Sequence, residues 1–131
     1  MGRSPMVALL LGALTLASGR DGPPDPRAAI FIARGCSACH AISALGLKAK
    51  TDVAPDLTYA YVDVVNRYGV SLEAFLADPR GVMRLMLAGH LHLTASDRDS
   101  IVHILHGLYV QHRAGVGDEI PPIDPDGATA R

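Results

Sequence analysis

Apolar residues recur at helical spacing in two stretches of the second half of the chain. The positions at i, i+3 and i+4 that predict an amphipathic helix are Leu72, Phe75 and Leu76 in one stretch and Ile101, Ile104, Leu105 and Leu108 in the other. Ser71 and Thr94 stand just before these stretches, where N-cap residues are favoured. Asp78 ends the first stretch, because the residue before a proline is pushed out of the helical region. The pattern therefore predicts two capped helices.

Three other segments are also predicted to be helical. Residues 25–35 (DPRAAIFIARG) predict a helix, and residues 58–69 (TYAYVDVVNRYG) predict a short helix that ends at Gly69. Residues 82–87 predict a helical turn with Gly89 as its C-cap. No segment between them has the pattern of a strand, so the predicted fold class is all-α, with three to five helices.

The N-terminal residues 1–19 follow a different pattern. A short basic segment, MGRSP, precedes an apolar run from Met6 to Ala17, and small residues and turn formers come next. This order is typical of a secretory signal peptide, and the run is shorter than the roughly twenty residues that span a bilayer. We therefore expect cleavage after residues 1–19, a linker over 20–26, and a mature periplasmic protein with no stable membrane insertion.

Composition limits what the mature chain can be. With 131 residues the chain has room for one domain, which we place at 27–112. An acidic segment rich in proline and glycine, 113–131, predicts a disordered tail. The formal net charge of -1 argues against a general nucleic-acid-binding protein. Aromatic residues make up only 5% of the chain, so we expect its small core to be built around a further apolar group.

Both cysteines lie in one pentapeptide, CSACH, which contains Cys36, Cys39 and His40. A disulfide between them would close only a tiny loop, and a thioredoxin-like site would follow a strand rather than the helix predicted here. A zinc site would need two further ligands, for which His103 and His106 are candidates. The Cys-x-x-Cys-His spacing is the signature of covalent haem attachment, in which the thiols add to the porphyrin vinyl groups and the histidine ligates the iron. The motif therefore predicts one haem c as the cofactor.

Together with three further segments, this motif resembles the class I monohaem cytochromes c. The resemblance covers residues 27–109 and rests on four segments in the family's order: CSACH after a helix, APDLT, SLEAFLADPR and the closing LTASDRDSIVHILHGLYV. It implies the cytochrome c fold, with helices packed around one covalent haem. It also implies that His40 is the proximal ligand and that the carbonyl of Pro55 accepts a hydrogen bond from it. The apolar residues expected to pack against the haem are Ile30, Phe31, Leu57, Leu72, Phe75 and Leu105.

The second axial ligand is expected from the segment MRLMLAGHLH, which follows the third predicted helix. Counted back from Thr94 at the start of the closing helix, Met86 falls within one residue of the family's methionine ligand, so the resemblance implies Met86 as the distal ligand. Met83, His90 and His92 remain alternatives, as does an iron with an open or water-bound position. The chain departs from the family here, because neither methionine is followed by the proline that the family often has.

The resemblance implies an exported electron carrier that is not an enzyme and that moves one electron at a time. Its partners would be redox proteins, one as donor and one as acceptor, and the scarcity of lysine (Lys48 and Lys50) argues against strong electrostatic steering. A haem-bearing subunit of a larger periplasmic oxidoreductase is the alternative, and a haem-based gas-binding sensor is a further one. The side chains considered for contacts with the haem propionates are Tyr59, Tyr61, Arg67, Arg80 and Arg84.

Overall fold

The computed structural model describes residues 22–116, so the predicted signal peptide and the predicted tail beyond residue 116 lie outside the described residues. Its α-helices are α1 (Ala29–Ala33), α2 (Ala60–Tyr68), α3 (Leu72–Ala77), α4 (Val82–Gly89) and α5 (Ala95–Val116). Short 3-10 turns lie at Pro26–Ala28, Cys36–Ala38, Ser43–Leu45 and Leu57–Tyr59. Within residues 22–116 no strand forms, and one isolated antiparallel bridge joins Ile42 and Leu47. The all-α prediction is confirmed for this part of the chain.

The ends of α2 and α3 follow the local sequence signals. α2 ends where Gly69 adopts a left-handed conformation, with φ of 67°. The Ser71 hydroxyl then accepts a hydrogen bond from the backbone N–H of Ala74 at 3.2 Å and caps α3. α3 ends before Asp78, which precedes a proline and lies outside the helical region (φ -133°, ψ 78°). These predicted helix ends are confirmed.

Thr94 and Asp97 begin α5 with a reciprocal pair of hydrogen bonds. The N–H of Asp97 donates to the Thr94 hydroxyl at 3.1 Å, and the N–H of Thr94 donates to the Asp97 carboxylate at 2.8 Å. This capping box confirms the predicted N-cap at Thr94. The helix continues to Val116, past residue 112, where the tail is predicted to begin. Neither α5 nor any other helix between residues 22 and 116 is long and apolar enough to cross a membrane.

The predicted C-cap at Gly89 is wrong. Gly89 is the last residue of α4 and is not among the described glycines with positive φ. His90 takes the cap position instead, with φ of -124°. The carbonyl of Met86 accepts hydrogen bonds from the N–H of both His90 (2.9 Å) and Leu91 (2.8 Å). Because these bonds complete the helix end, no left-handed glycine is needed there.

The hydrophobic core lies between α5 and the elements that precede it. α5 packs on α1, α2, α3 and the turn at Leu57–Tyr59. The largest fully buried side chains are Phe31, Ile42, Leu45, Leu105, Leu108 and Thr58. Among the apolar residues expected around a haem, the buried ones are Phe31, Leu72, Phe75 and Leu105. Ile30 and Leu57 are partly buried and pack against the core. The predicted buried stripe of α5 is present, with Ile104 only partly buried.

Candidate functional site

The CSACH segment forms a tight turn soon after α1. Gly35 has a left-handed φ of 78°, and a Cβ placed there would come within 2.9 Å of Leu91 Cδ2. Both facts favour glycine at this position. A 3-10 turn begins at Cys36, and the N–H of His40 donates to the Cys36 carbonyl at 2.9 Å. The structure thus brings Cys36, Cys39 and His40 together on one short turn of the chain.

Cys36 and Cys39 are both free thiols and both partly buried. Burial raises the pKa of the Cys36 thiol, so this group stays protonated at neutral pH. A thioredoxin-like redox site needs the opposite, a thiol whose pKa is lowered. The environment of Cys36 therefore agrees with the sequence argument against a dithiol redox site.

The zinc alternative lacks its further ligands. His103 and His106 are exposed on α5, and the ring of His106 packs on Tyr61 at a centroid distance of 4.7 Å. Within residues 22–116, no three side chains of His, Cys, Asp or Glu are close enough to hold a metal ion together. A zinc site formed by the two cysteines with these histidines is not supported.

The imidazole of His40 is oriented by a hydrogen bond to the loop that contains APDLT. Its Nδ1 lies 2.7 Å from the carbonyl oxygen of Pro55. Because a carbonyl oxygen can only accept, Nδ1 carries the proton, and in the neutral imidazole the lone pair is therefore on Nε2. A histidine that ligates a metal is typically held in this way, by a hydrogen bond from its other ring nitrogen. The hydrogen bond that the resemblance implies between His40 and Pro55 is present.

Asp56 fixes the loop that carries Pro55. Its carboxylate accepts hydrogen bonds from the N–H of Thr58 at 2.8 Å and from the N–H of Ser43 at 3.1 Å. Burial raises the pKa of Asp56, but these hydrogen bonds outweigh the effect of burial and bring the pKa below its ordinary value. The buried Thr58 hydroxyl accepts a further hydrogen bond from the N–H of Ala44 at 3.1 Å. The loop is thereby attached to the chain just after the CSACH turn.

A second loop also contacts the CSACH turn. The backbone N–H of Lys50 donates to the Ser37 carbonyl at 2.9 Å, and the Thr51 hydroxyl donates to the Ala38 carbonyl at 2.8 Å. These bonds fix the backbone between the two cysteines. This loop could not be predicted from the sequence, because polar residues outside helices have no periodic pattern that indicates what they contact.

α4 turns its two methionines toward the protein. Met83, Met86 and Leu87 are partly buried at i, i+3 and i+4, whereas Val82 and Leu85 are 72% and 71% exposed. Among the described residues that pack against the buried core, Met83 is one and Met86 is not. Packing against the core therefore accounts for Met83, which is the ordinary use of a methionine side chain.

The two histidines that follow α4 are on the surface. His90 and His92 are both exposed. A ligand to a haem iron is normally enclosed by the protein, because burial around the iron is one of the means by which the protein tunes it. Their exposure makes His90 and His92 weaker candidates than Met86 for the distal position.

Most side chains considered for propionate contacts have partners in the protein. The pairs are Arg80 with the Tyr68 carbonyl, Arg84 with Asp78, Tyr59 with His112, and Tyr61 with His106 and Tyr109. Arg67 is exposed on α2. Among the described residues, the Tyr109 hydroxyl is buried without a hydrogen-bond partner. A buried hydroxyl without a partner is costly, so Tyr109 is a further candidate for a hydrogen bond to a bound polar group. The sequence pattern alone did not indicate this role.

The site as a whole combines two free thiols with an imidazole whose Nε2 lone pair is available. Comparison of the chain with protein-family models, with curated proteins and with solved structures finds no match. The chemistry that the site can support therefore follows from its donor atoms, the two thiol sulfurs and the His40 ring nitrogen. Two thiols can form thioether bonds to one cofactor, and the neutral imidazole can ligate its metal.

Proposed function

We propose that the protein is a c-type cytochrome with a cytochrome c-like fold, which carries one covalent haem c and transfers single electrons in the periplasm. The observation that carries this proposal is the 2.7 Å hydrogen bond between His40 Nδ1 and the Pro55 carbonyl, on the same turn as two free thiols. It leaves Nε2 as the one ring nitrogen of His40 that can ligate a metal.

The CSACH side chains fit a covalent haem. Cys36 and Cys39 would each add across one porphyrin vinyl group, with the sulfur bonding to one vinyl carbon and the thiol hydrogen passing to the other. This addition needs no oxidant, and both thiols are in the reduced form that it requires. His40, next in the chain, would supply the first axial ligand, and the Pro55 carbonyl would hold its ring in place.

Met86 is proposed as the second axial ligand. Met83, one helical turn earlier, packs against the buried core, and Met86 is not among the described side chains that do so. His40 and Met86 would hold the haem iron, which would supply a one-electron couple, and ligation by both histidine and methionine would raise its reduction potential. Apolar residues of α3 and α5 would exclude water from the group, and the buried ones are Leu72, Phe75, Ile101 and Leu105. Redox proteins would act as the electron donor and acceptor.

Exposed apolar side chains on α4 favour a second candidate, a haem subunit of a larger periplasmic oxidoreductase. Val82 and Leu85 are 72% and 71% exposed and lie one helical turn apart. A contiguous exposed apolar patch marks a surface that a partner covers, and the second candidate requires these two residues to belong to one. Size-exclusion chromatography of protein from its native source separates the two candidates. A free carrier elutes at its own size, and a subunit co-elutes with a larger enzyme.

Spectra and electrochemistry of the exported, haem-loaded protein test the proposed function. We expect a single one-electron reduction wave, a six-coordinate ferrous spectrum, and a weak long-wavelength ferric band from methionine ligation. Met86→Ala is expected to abolish this band and to lower the reduction potential. Met83→Ala, a matched control on the same helix face, is expected to keep the band.

Three results would contradict parts of this proposal. A protein that passes through a haem-attachment system without gaining covalent haem is not a c-type cytochrome. Rapid binding of carbon monoxide to the ferrous wild-type protein excludes ligation by Met86 and favours the gas sensor. A band that survives Met86→Ala but is lost in Met83→Ala moves the distal ligand to Met83.

A further inference from the structure

The segment that follows α4 meets the base of the CSACH turn at two points. Leu91 lies against Gly35, where its Cδ2 occupies the space next to the glycine Cα. Further along the chain, the Asp97 carboxylate forms an ion pair with the Arg34 guanidinium at 2.9 Å. Arg34 and Gly35 are the two residues directly before Cys36. Residues 91–97, called the distal segment below, are thereby attached to the residues directly before the CSACH motif.

Asp97 holds this attachment with both of its carboxylate oxygens. One oxygen accepts the N–H of Thr94 at 2.8 Å, and the other faces Arg34. Hydrogen bonds with Thr94, and the Arg34 guanidinium, lower the pKa of Asp97, so the group is ionised at neutral pH. Asp97 is only 8% exposed. The Arg34 side chain is 42% exposed, so solvent screens the pair and its contribution is modest, but its geometry joins the two segments directly.

One backbone hydrogen bond and one from a side chain connect this link to Met86. The Met86 carbonyl accepts the N–H of Leu91 at 2.8 Å, and the Arg98 guanidinium donates to the Leu93 carbonyl at 3.1 Å. The residues between α4 and α5 are therefore bonded to α4 at one end and to α5 at the other. Between these ends, Leu91 rests on Gly35. A shift of this segment would move the end of α4, where Met86 is located.

We propose that Arg34 and Asp97 are positioning residues, which keep Met86 in place by tying residues 91–97 to the haem motif. The inference rests on the proposed function, in which Met86 is the distal ligand. The ion pair acts on Met86 through Leu91 and the backbone at the end of α4. It sets how readily a competing ligand, such as imidazole, replaces Met86 in the ferric protein.

A second ion pair near α1 offers a matched control. Arg27 pairs with Asp25 at 2.9 Å, the same distance as between Arg34 and Asp97. The two arginines are also equally exposed, at 40% and 42%. Arg27, however, pairs within its own turn, two residues away in the chain. Arg27→Met therefore removes an ion pair of the same length, to a more exposed carboxylate, without touching residues 91–97.

The test is imidazole binding to the ferric, haem-loaded protein, with hydrogen–deuterium exchange of the peptide 86–94 as a readout that does not depend on ligand binding. Arg34→Met and Asp97→Asn are each expected to raise the imidazole association constant about threefold and to speed exchange in that peptide. Asparagine at 97 keeps an oxygen for the Thr94 N–H while it removes the charge. The double variant is expected to match the larger single effect, because both changes remove one interaction. Arg34→Lys is expected to keep the imidazole association constant and the exchange rate of peptide 86–94 close to those of the wild type. Arg27→Met is expected to leave both quantities unchanged.

The outcomes separate this inference from the proposed function. If Arg34→Met and Asp97→Asn bind imidazole and exchange like Arg27→Met, the inference is overturned, while covalent haem and the methionine band leave the proposed function standing. If the effects of the two single variants simply add, the residues act independently and the ion pair is not the link. If the wild-type protein has covalent haem but no methionine band, ligation by Met86 is wrong, and the inference is overturned with it.

Discussion

Replacing Gly35 by alanine tests how the CSACH turn is joined to Leu91 in the segment between α4 and α5. Gly35 has φ of 78°, a conformation that costs a residue with a Cβ about 1–2 kcal/mol. The new Cβ would also stand 2.9 Å from Leu91 Cδ2, so the end of the Leu91 side chain must shift, and a χ angle displaced by about 30° from its rotamer costs about 0.5–1.5 kcal/mol more. Gly35→Ala is therefore expected to lower the free energy of unfolding by about 2–3 kcal/mol.

Two other glycines separate the backbone cost from the contact with Leu91. Gly69 has φ of 67° but nothing within 4 Å of an added Cβ, so Gly69→Ala is expected to cost only about 1–2 kcal/mol. Gly89 is helical and also has open space around an added Cβ. Gly89→Ala is expected to stabilise the protein by about 0.5 kcal/mol, because glycine weakens a helix relative to alanine.

Guanidinium chloride unfolding of the haem-loaded variants, followed by circular dichroism, measures these differences. In a Leu91→Ala background, Gly35→Ala is expected to cost no more than Gly69→Ala does, since the crowded side chain has been removed. Equal losses for Gly35→Ala and Gly69→Ala in the wild-type background would refute the contact between Gly35 and Leu91.

Three more expectations concern the loop that carries Pro55, the carboxylates of Asp56 and Asp97, and Met83 on α4. Thr58→Val removes a buried hydrogen-bond acceptor and is expected to lower the free energy of unfolding by about 1–2 kcal/mol. Thr51→Val removes an exposed hydroxyl and is expected to lower it by less. Urea unfolding of the two variants measures the difference. The pKa values of Asp56 and Asp97 are lowered by folding, so the stability they give is present above their ordinary value of 3.8 and is lost as the pH falls below it. Unfolding measured against pH is expected to show this fall in the wild type and a shallower one in Asp56→Asn; identical curves would contradict it. Met83→Ala is expected to cost about 1–2 kcal/mol through lost packing while the visible spectrum stays unchanged, and a changed spectrum would contradict its assignment to the core.

Helix ends could be predicted from the sequence because their causes act over a few residues. Ser71 and Thr94 accept N–H groups only a few residues ahead of them, and Gly69 ends a helix through its own conformation. Gly89 was misplaced because a glycine near a helix end fits either inside or just beyond the helix. The choice is made by the Met86 carbonyl, which bonds to two N–H groups and completes the end without a left-handed residue.

Contacts between distant segments could not be predicted from periodicity or composition. The hydrogen bond between His40 and Pro55 was expected only from the resemblance to cytochromes c, and the Arg34–Asp97 ion pair was not expected at all. Hydropathy predicts that a side chain is buried, but it does not predict which loop contacts that side chain. That depends on how α5 packs against α1 and the turn at Leu57–Tyr59.

The central claim is that Cys36 and Cys39 hold a haem covalently. The most direct measurement is the intact mass of the mature protein, exported in a host with a haem-attachment system and then denatured in acid. Covalent attachment predicts the mass of the chain plus one haem, with visible absorbance that stays with the polypeptide. Cys36→Ser combined with Cys39→Ser is expected to lose both, and His103→Ala, at an exposed histidine, to keep both. A wild-type mass equal to that of the bare chain, with no absorbance left on the polypeptide, would contradict the claim.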